Sequence, residues 1–245
     1  MDRTGVRPRV AVVGGGRLGT TLTRALRGAG WSVSGPLGRG ADPQDVEVVL
    51  LAVPDAQVAH ASAALTPRDG LLVGHCSGAT TLDVLAPHEA FSLHPLMTVT
   101  GQGADLTGAT AAVAGSTDRA LELAEQLADA LGMLTVHVRD ADRAAYHAAA
   151  SVASNFLLTL EDLAERLAAS AGVPRERLLP LVRATVESWA RTGSASALTG
   201  PVARGDEETV ARQRAAVAER CPDDLELYDV LLTRTRRLAA QEAPR

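Results

Sequence analysis

The 245-residue sequence predicts an α/β fold in which a doubly wound parallel sheet is followed by an all-helical C-terminal domain. The first half alternates short runs of Val, Leu and Ala with helical patterns, and such alternation is typical of parallel sheets. Several runs are apolar on both faces, as strands covered by helices on each side should be. No strand pattern follows residue 140, so we expect one domain over residues 1–140 and a helical domain over 141–245.

The predicted elements follow one another closely. Strands are predicted at 9–13, 31–34, 46–53, 70–75, 90–93, 110–114 and 133–138. Helices are predicted at 18–29, 56–65, 80–85 and 118–131, and then at 142–169, 174–191, 207–219 and 223–241. Gly30 and Gly132 stand where helix C-caps are expected, and Pro180 is expected to kink its helix. The link before residue 46 is too short for a full helical crossover.

Composition excludes several classes of function. All 24 basic residues are arginine, which excludes a Schiff-base lysine and a phosphate-loop lysine. The net charge of −5 argues against binding to nucleic acid or to an anionic membrane. Two cysteines, Cys76 and Cys221, make neither a disulfide framework nor a metal site. No apolar run approaches the roughly 18 residues of a membrane span or resembles a signal peptide, so a cytoplasmic protein is expected.

The first predicted strand runs directly into a glycine-rich loop that opens a helix. The loop consists of Gly14, Gly15, Gly16, Arg17, Leu18 and Gly19. Its pattern is G-x-G-x-x-G in the strand–loop–helix setting of a Rossmann-type dinucleotide site. Gly14 allows the tight turn, Gly16 lets the backbone approach a pyrophosphate, and Gly19 lets the helix pack on the strand. The alternative is a glycine-rich turn that binds no ligand.

The residues after the second strand favour NADP over NAD as the cofactor. NAD-binding proteins usually place an acid there for the ribose 2′-hydroxyl, yet no acid appears before Asp42. Arg39 can pair instead with a 2′-phosphate, and Ser34 can add a hydrogen bond, although Arg39 can also be a solvated loop charge. Val53 and Pro54 follow the third strand and are expected to touch the ribose or nicotinamide.

Polar side chains at the next two strand ends are candidates for catalysis. Ser77 follows the fourth strand and His94, fixed by Pro95, follows the fifth. A histidine with a pKa near its usual 6.5 can donate a proton to a carbonyl being reduced. The alternatives are a capping or core role for His94 and, more strongly, a buried apolar role for Cys76.

The first C-terminal helix and a later loop add further candidates. His147, Ser151 and Asn155 are spaced four residues apart, which puts them in one stripe about 80° wide on a straight helix. This stripe faces either the substrate or water and a second subunit. In the turn-rich loop near 200, Thr199 and Arg204 are candidates for binding a substrate carboxylate, while helix capping is an equal alternative there.

Four motifs together resemble a bacterial family whose members combine a Rossmann-like domain with a domain of unknown function. They are Gly-Gly-Gly-Arg-Leu-Gly, Leu-His-Pro-Leu, Tyr-His-Ala-Ala-Ala with a following Ser-Asn, and Leu-Thr-Gly-Pro-Val-Ala-Arg-Gly-Asp. That family is similar in fold to 6-phosphogluconate dehydrogenase, pyrroline-5-carboxylate reductase and ketopantoate reductase. The resemblance implies an NADP-dependent oxidoreductase, a homodimer through the helical domain, and ketopantoate (2-dehydropantoate) as the best substrate.

One departure and one further likeness qualify this resemblance. Ketopantoate reductases carry a lysine on the first long helix, whereas the matching position here is His147, so the lysine mechanism does not transfer. Ser77 and His94-Pro95 look similar to a pair in prephenate and arogenate dehydrogenases.

The function predicted from these observations is hydride transfer between NADPH and a small oxo- or hydroxycarboxylate. His94 or His147 would exchange the proton, and Ser77 and Asn155 would orient the reacting oxygen. Two rivals stay open, namely an NADP(H) sensor without chemistry and a purely structural dimer.

Overall fold

The computed structural model describes residues 7–99 and 103–241. Seven strands form one sheet in the order β2-β1-β3-β4-β5-β6-β7. Their bounds are Val10–Val13 (β1), Val33–Leu37 (β2), Val48–Leu51 (β3), Leu72–His75 (β4), Glu89–Leu96 (β5), Thr110–Gly115 (β6) and Leu134–His137 (β7). Neighbouring strands are parallel except for β5 and β6, which are antiparallel. The predicted α/β fold is confirmed, with one antiparallel pair added.

Helices cover both faces of this sheet. Helix α1 (Arg17–Gly28) and helix α3 (Asp118–Ala130) contribute to one apolar core, in which Val10 and Val12 of β1 are fully buried. Helix α2 (Val58–Ala63) and a 3₁₀ turn at Leu82–Leu85 contribute to a second core on the opposite face. The alternation of side chains along each strand produces this two-sided burial. The sheet is therefore doubly wound.

The local predictions in this part of the chain were mostly right. Gly30 and Gly132 follow their helices with φ of +80° and +68°, a conformation that favours glycine, so both C-cap predictions are confirmed. No helix lies between β2 and β3, as the short link predicted. The helix predicted at 80–85 is instead the 3₁₀ turn at Leu82–Leu85.

The rest of the chain is helical. Its elements are α4 (Arg143–Ser151), a π-helical turn (Val152–Phe156), α5 (Leu157–Ser170), α6 (Leu179–Thr192), α7 (Ser194–Ala197), α8 (Glu207–Arg220) and α9 (Leu225–Ala239). Within residues 138–241 there is no strand. The expected kink at Pro180 is wrong, because Pro180 lies in the first turn of α6, where its missing N–H costs nothing.

The π-helical turn corrects the prediction of one uninterrupted helix over 142–169. A π turn holds more residues than an α turn, so it rotates every later residue relative to the earlier ones. Asn155 lies inside this turn, so the straight-helix geometry from which its stripe with His147 and Ser151 was predicted does not apply there.

The chain divides into two compact units, the first ending at Ser154 and the second beginning at Asn155. We call them the sheet unit and the helical unit. The division comes later than the predicted domain boundary at 140, because Arg143 and Tyr146 of α4 bond to residues of β5. Among residues 7–99 and 103–241, no helix has the length and apolarity needed to cross a membrane.

Candidate functional site

The glycine-rich loop lies where the strand order reverses direction. Strand β1 has β2 on one side and β3 on the other, so the loops after β1 and β3 meet at the switch point of the sheet. Gly14 has φ of +122°, and a Cβ there would collide with the carbonyl oxygen of Ala52 after β3. A Cβ at Gly19 would collide with the carbonyl oxygen of Gly14. These two glycines allow the loop and α1 to pack closely on the strand ends.

The other two glycines of the loop face open space. A Cβ built at Gly15 or Gly16 would meet nothing within 4 Å. Gly16 precedes α1 without a side-chain cap, and the first turn of the helix carries no acidic residue. The first helical hydrogen bond runs from the N–H of Thr20 to the carbonyl of Gly16, so the N–H groups of Arg17 and Leu18 come before the helical ladder. This combination offers donors and a partial positive charge to an anion.

The end of β2 touches the same loop. The N–H of Gly14 donates to the carbonyl of Leu37 at 2.9 Å, which brings the last residue of β2 against the loop. Arg39 is exposed two residues later, and Ser34 is exposed on β2, with a long 3.5 Å hydrogen bond to the carbonyl of Val10. Arg39 is therefore accessible just after β2, whereas Ser34 pairs with Ala11 nearer the start of β1.

Asp42, the first acid after β2, is already engaged. Its carboxylate accepts hydrogen bonds from the N–H of Thr66 at 3.2 Å and from the Thr66 hydroxyl at 2.6 Å. The bond from the Thr66 hydroxyl lowers the pKa of Asp42. Both oxygens of this carboxylate thus bind Thr66, and the contact stabilises the loop after β2.

A second cluster lies on β4, β5 and α4. In the parallel register of β4 and β5, His75 stands opposite Ser92. His94 lies two residues beyond Ser92 and therefore on the same face of β5, while Phe91 and Leu93 point into the core on the other face. The register thus gathers three polar residues on one face of the sheet.

His94 contacts two aromatic side chains of α4. Its Nδ1 is 2.8 Å from the hydroxyl of Tyr146, and the two rings meet edge to face. The ring of His147 lies 6.4 Å from that of His94, centroid to centroid. Gly78 makes this approach possible, because a Cβ there would lie 2.9 Å from Cε1 of His94 and 3.1 Å from Cδ2 of His147. The structure therefore brings together two of the predicted catalytic residues, His94 and His147.

Burial keeps His94 neutral. It lowers the pKa of His94 to about 4, and the positive charge of His147 when protonated adds to this effect. At neutral pH the ring therefore carries one proton, and a fixed tautomer decides which nitrogen donates a hydrogen bond. The pKa near 6.5 assumed for this ring does not hold, since desolvation disfavours its imidazolium form, and its part in catalysis stays a prediction.

Ser77 is placed close to the predicted position, but its hydroxyl is engaged within its own turn. The oxygen accepts hydrogen bonds from the N–H groups of Ala79 and Thr80, at 3.2 Å and 3.0 Å, and donates to the Thr80 hydroxyl at 2.7 Å. These three bonds use the donor and both acceptor sites of a hydroxyl. Ser77 therefore stabilises the turn that presents Gly78 to the histidines. Cys76 is buried, and burial raises the pKa of its thiol to about 12.

A buried arginine that sequence reasoning missed anchors α4 to this cluster. Arg143 is only 2% exposed, and its guanidinium donates to Asp140 at 2.6 Å and to the hydroxyl of Ser92. The other carboxylate oxygen of Asp140 accepts the N–H of Leu82 at 2.9 Å. Tyr146 was missed as well. Its signal in the sequence was its spacing, one helical turn after Arg143 and beside His147.

Three predicted site residues belong to the helical unit. Asn155 is exposed within the π-helical turn, and Thr199 and Arg204 are exposed in the loop before α8. Asp206 in that loop caps α8, because its side chain accepts the N–H of Thr209 at 3.0 Å. The roles of Asn155, Thr199 and Arg204 toward a substrate stay predictions.

The glycine-rich loop, the strand order and the helices that follow the sheet together define a Rossmann-type α/β protein with a helical C-terminal region. Residues 87–235 match the family described as "Domain of unknown function (DUF2520)", and the chain belongs to this family. A search of curated proteins finds no match to the sequence.

Solved structures share the fold along nearly the whole chain. A Bacteroides fragilis protein described as a proposed NADP oxidoreductase has a TM-score of 0.79 at 19% identity, covering 94% of this chain and 98% of its own. A Thermotoga maritima protein has a TM-score of 0.78 at 22% identity, covering 95% and 99%. A reductive aminase from Aspergillus terreus, in complex with NADPH and ethyl-5-oxohexanoate, has a TM-score of 0.69 at 16% identity, covering 96% and 98%. At these identities the likeness shows the fold.

Proposed function

We propose that this protein is an NADP(H)-dependent oxidoreductase. The observation that carries the proposal is the open space above Gly15 and Gly16, at an uncapped helix N-terminus on the switch point of the sheet. A pyrophosphate fits there, because backbone N–H groups can donate to it without a side chain in the way. The NADPH seen with the A. terreus reductive aminase of the same fold supports this assignment.

The adenosine end of the cofactor explains the choice of NADP. Arg39 is exposed just after β2, and its planar fork suits a 2′-phosphate. Asp42, the acid that could bind a ribose hydroxyl instead, is held by Thr66. Val53 contacts the glycine-rich loop, since its Cγ1 would lie 3.3 Å from a Cβ on Gly14, and with Pro54 it is proposed to line the nicotinamide side.

Bound NADPH would supply the hydride, and the side chains on β5 and α4 would handle the reacting oxygen. Strands β1 and β5 are three strand spacings apart, which is roughly 14 Å along the carboxyl edge of the sheet. His94 and His147 thus lie on the side of the glycine-rich loop away from β2 and Arg39. A neutral His94 stabilises a developing oxyanion by donating a hydrogen bond rather than by releasing a proton from an imidazolium.

The proposed substrate is a small oxo- or hydroxycarboxylate, with ketopantoate first among those to be tested. Arg204 and Thr199 are kept as the groups that bind the carboxylate, because both are exposed and a guanidinium suits that anion. Stopped-flow absorbance of NADPH with a panel of 2-oxo acids tests the reaction. Oxidation of NADPH by at least one of them, abolished in His94→Ala, is the expected result. Cofactor binding without any turnover would contradict it.

A cofactor-binding sensor without chemistry is the second candidate. It is favoured by one observation, the complete engagement of the Ser77 hydroxyl, which leaves one predicted catalytic group unable to reach a substrate. The same observation weakens the likeness to prephenate and arogenate dehydrogenases, which depended on Ser77 together with His94-Pro95. Turnover of any oxo acid decides against the sensor.

We also propose that the protein is a homodimer formed through the helical unit. Helices α6, α7 and α9 bury none of their described residues completely. Helices α6 and α9 have 14 and 15 residues, a length that is marginal in water for an isolated helix, so they need a covering surface. On α6, Leu181 is 67% exposed and Trp189 is 55% exposed, and a second copy of the chain would cover them.

Light scattering after size exclusion tests the dimer. Leu181→Asp is expected to yield monomers, because a charge would be buried in the interface. Leu134→Asp is the matched control, since Leu134 of β7 is 65% exposed and belongs to the sheet unit. A dimeric Leu181→Asp variant, or a monomeric wild-type protein at micromolar concentration, would refute the proposal.

A further inference from the structure

We propose that Tyr146 is a positioning residue that holds His94 in the tautomer protonated at Nε2. The phenol would donate its hydrogen to Nδ1, and Nε2–H would then be the donor presented to the reacting oxygen. The inference deepens the proposed oxidoreductase function and rests on it for its catalytic meaning. The tautomer itself is a property of the sheet unit and can be measured without a substrate.

The hydrogen-bond inventory of the two side chains favours one direction for this bond. A neutral imidazole has one donor nitrogen and one acceptor nitrogen, and a phenol has one hydrogen to donate. The 2.8 Å contact to Nδ1 is the hydrogen bond that the Tyr146 hydroxyl makes with the described part of the chain. If Nδ1–H donated instead, the phenol hydrogen would need another acceptor in a half-buried setting. Donation from Tyr146 to Nδ1 satisfies both groups at once.

His75 provides an internal reference for this assignment. Its Nδ1 accepts the backbone N–H of Ser77 at 3.2 Å. A backbone N–H can only donate, so this bond places the His75 proton on Nε2, a nitrogen that is buried without a hydrogen-bond partner among the described residues. Burial lowers its pKa to about 4, as it does for His94. Two neutral histidines on one face of the sheet are therefore held in the same tautomer, one by the backbone and the other by Tyr146.

The surroundings hold Tyr146 in place for this task. Arg143, one turn earlier on α4, is buried and tied to Ser92 of β5, the residue two positions before His94. The edge-to-face rings of His94 and Tyr146 have centroids 5.6 Å apart and planes at 89°. Gly78 leaves the space into which the two histidine rings fit. An arginine anchor, an aromatic contact and a missing side chain therefore all favour one geometry.

The consequence for catalysis is a hydrogen-bond donor that stays neutral. As the carbonyl of a substrate is reduced, negative charge develops on its oxygen, and a preformed Nε2–H stabilises that charge. Without the phenol, the ring can place its proton on Nδ1, and Nε2 then points a lone pair at the same oxygen. Loss of Tyr146 would thus weaken the transition state more than the binding of substrate.

Imidazole ¹H–¹⁵N correlation spectra of the full-length protein at pH 7.5 test the inference. Tyr146→Phe is the variant, and His94→Gln identifies the His94 signals among the six histidines. In wild-type protein we expect His94 with a bare Nδ1 and a protonated Nε2. In Tyr146→Phe we expect the His94 nitrogens to move toward a mixture of tautomers, with His75 unchanged. A wild-type His94 protonated at Nδ1, or a variant with unchanged His94 nitrogens, would overturn the proposal.

Kinetics supply the second arm. Where an oxo acid is turned over, Tyr146→Phe is expected to lower kcat about tenfold with KM changed less than twofold. A rise in KM of about tenfold with kcat unchanged would overturn the positioning role. If no substrate is turned over but the tautomers behave as expected, the oxidoreductase function fails while the assignment of Tyr146 to His94 stands.

Discussion

The sheet unit and the helical unit differ in how they bury their apolar side chains. In the sheet unit two cores flank the strands, and residues such as Leu22, Leu50 and Phe91 are at most 1% exposed. In the described part of the helical unit the buried apolar residues are Leu163, Val210, Val217 and Cys221. Five large apolar side chains on α5 and α6 are exposed there, namely Leu158, Leu179, Leu181, Val186 and Trp189.

The difference shows where each unit obtains its stability. A parallel sheet with helices on both faces completes its own core within one chain. A few helices with at most two buried residues each cannot offset the conformational entropy of ordering them. We infer that the helical unit draws its stability from association, whereas the sheet unit draws it from internal packing. Four predictions are given from the largest expected effect to the smallest; the first and third test this contrast, and the second and fourth test the cofactor site of the sheet unit.

Removing a core aromatic side chain should show the difference in stability between the two units most clearly. Phe91→Ala is expected to lower the free energy of unfolding by about 3–5 kcal/mol, because the ring is fully buried over Gly74. Trp189→Ala, at an exposed position, should change stability only through dimer formation. Chemical denaturation at two protein concentrations measures both. A concentration-dependent effect of Phe91→Ala, or a concentration-independent effect of Trp189→Ala, would break the contrast.

Filling the space above the glycine-rich loop should abolish cofactor binding without unfolding the protein. A Cβ at Gly16 would meet nothing within 4 Å, and φ is an ordinary −73°, so Gly16→Val is expected to change stability by less than about 1 kcal/mol. The added methyl groups occupy the space proposed for the pyrophosphate, and NADPH affinity should fall at least a hundredfold. Calorimetric titration and thermal melting measure the two effects. Unchanged NADPH affinity would contradict the proposed site.

Mild acid should destabilise the sheet unit before the helical unit. All six histidines precede residue 148, and burial lowers the pKa of His75 and His94 to about 4 from the ordinary 6.5. Between pH 6.5 and 4 the two rings therefore bind protons in the unfolded chain but stay neutral in the folded protein. The free energy of unfolding thus decreases as pH falls through this window. The carboxyls of Asp206, Asp224 and Asp229 have lowered pKa values and stay ionised there.

Hydrogen exchange resolved by segment, compared at pH 7 and pH 5 after correction for the intrinsic rate, distinguishes the two units. Greater loss of protection in β4 and β5 than in α8 and α9 is expected. His94→Gln should remove part of the pH dependence, because glutamine does not titrate. The reverse order of loss would show that the helical unit is the acid-sensitive one.

The smallest effect is expected at the adenosine end of the proposed cofactor site. Arg39→Ala should weaken NADPH binding about tenfold, because an exposed charge-assisted hydrogen bond contributes roughly 1–2 kcal/mol. NADH lacks the extra phosphate, so its affinity should stay within twofold. Arg7→Ala serves as a control for charge, since Arg7 donates to the carbonyl of Ala29 instead. Equal loss for both cofactors would contradict the assignment of Arg39.

Local signals were the part of this fold that the sequence could predict. The glycine-rich loop, the C-cap glycines and the alternating apolar runs all depend on neighbours in the chain, and the structure has them where they were expected. The turn at Ser77 also depends on local sequence, because Ser-Gly-Ala-Thr suits a serine hydroxyl that accepts backbone N–H groups. The sequence prediction gave this hydroxyl a catalytic role instead.

Long-range placement was the part that the sequence could not predict. The contact between His94 and Tyr146 joins residues 52 positions apart and depends on the packing of α4 against β5. Arg143 shows the same limit, because nothing near it in the chain reveals that Ser92 will accept its hydrogen bond. The π-helical turn could not be predicted from the sequence, because its residues have ordinary helical propensities.

The missing crossover between β2 and β3 has a consequence for the choice between the two nicotinamide dinucleotides. No helix shields the loop after β2, so Arg39 meets bulk electrolyte. At physiological ionic strength, mobile ions screen such a charge over about 8 Å. If Arg39 binds the 2′-phosphate as proposed, discrimination between the phosphorylated and unphosphorylated dinucleotide should therefore shrink as potassium chloride is added.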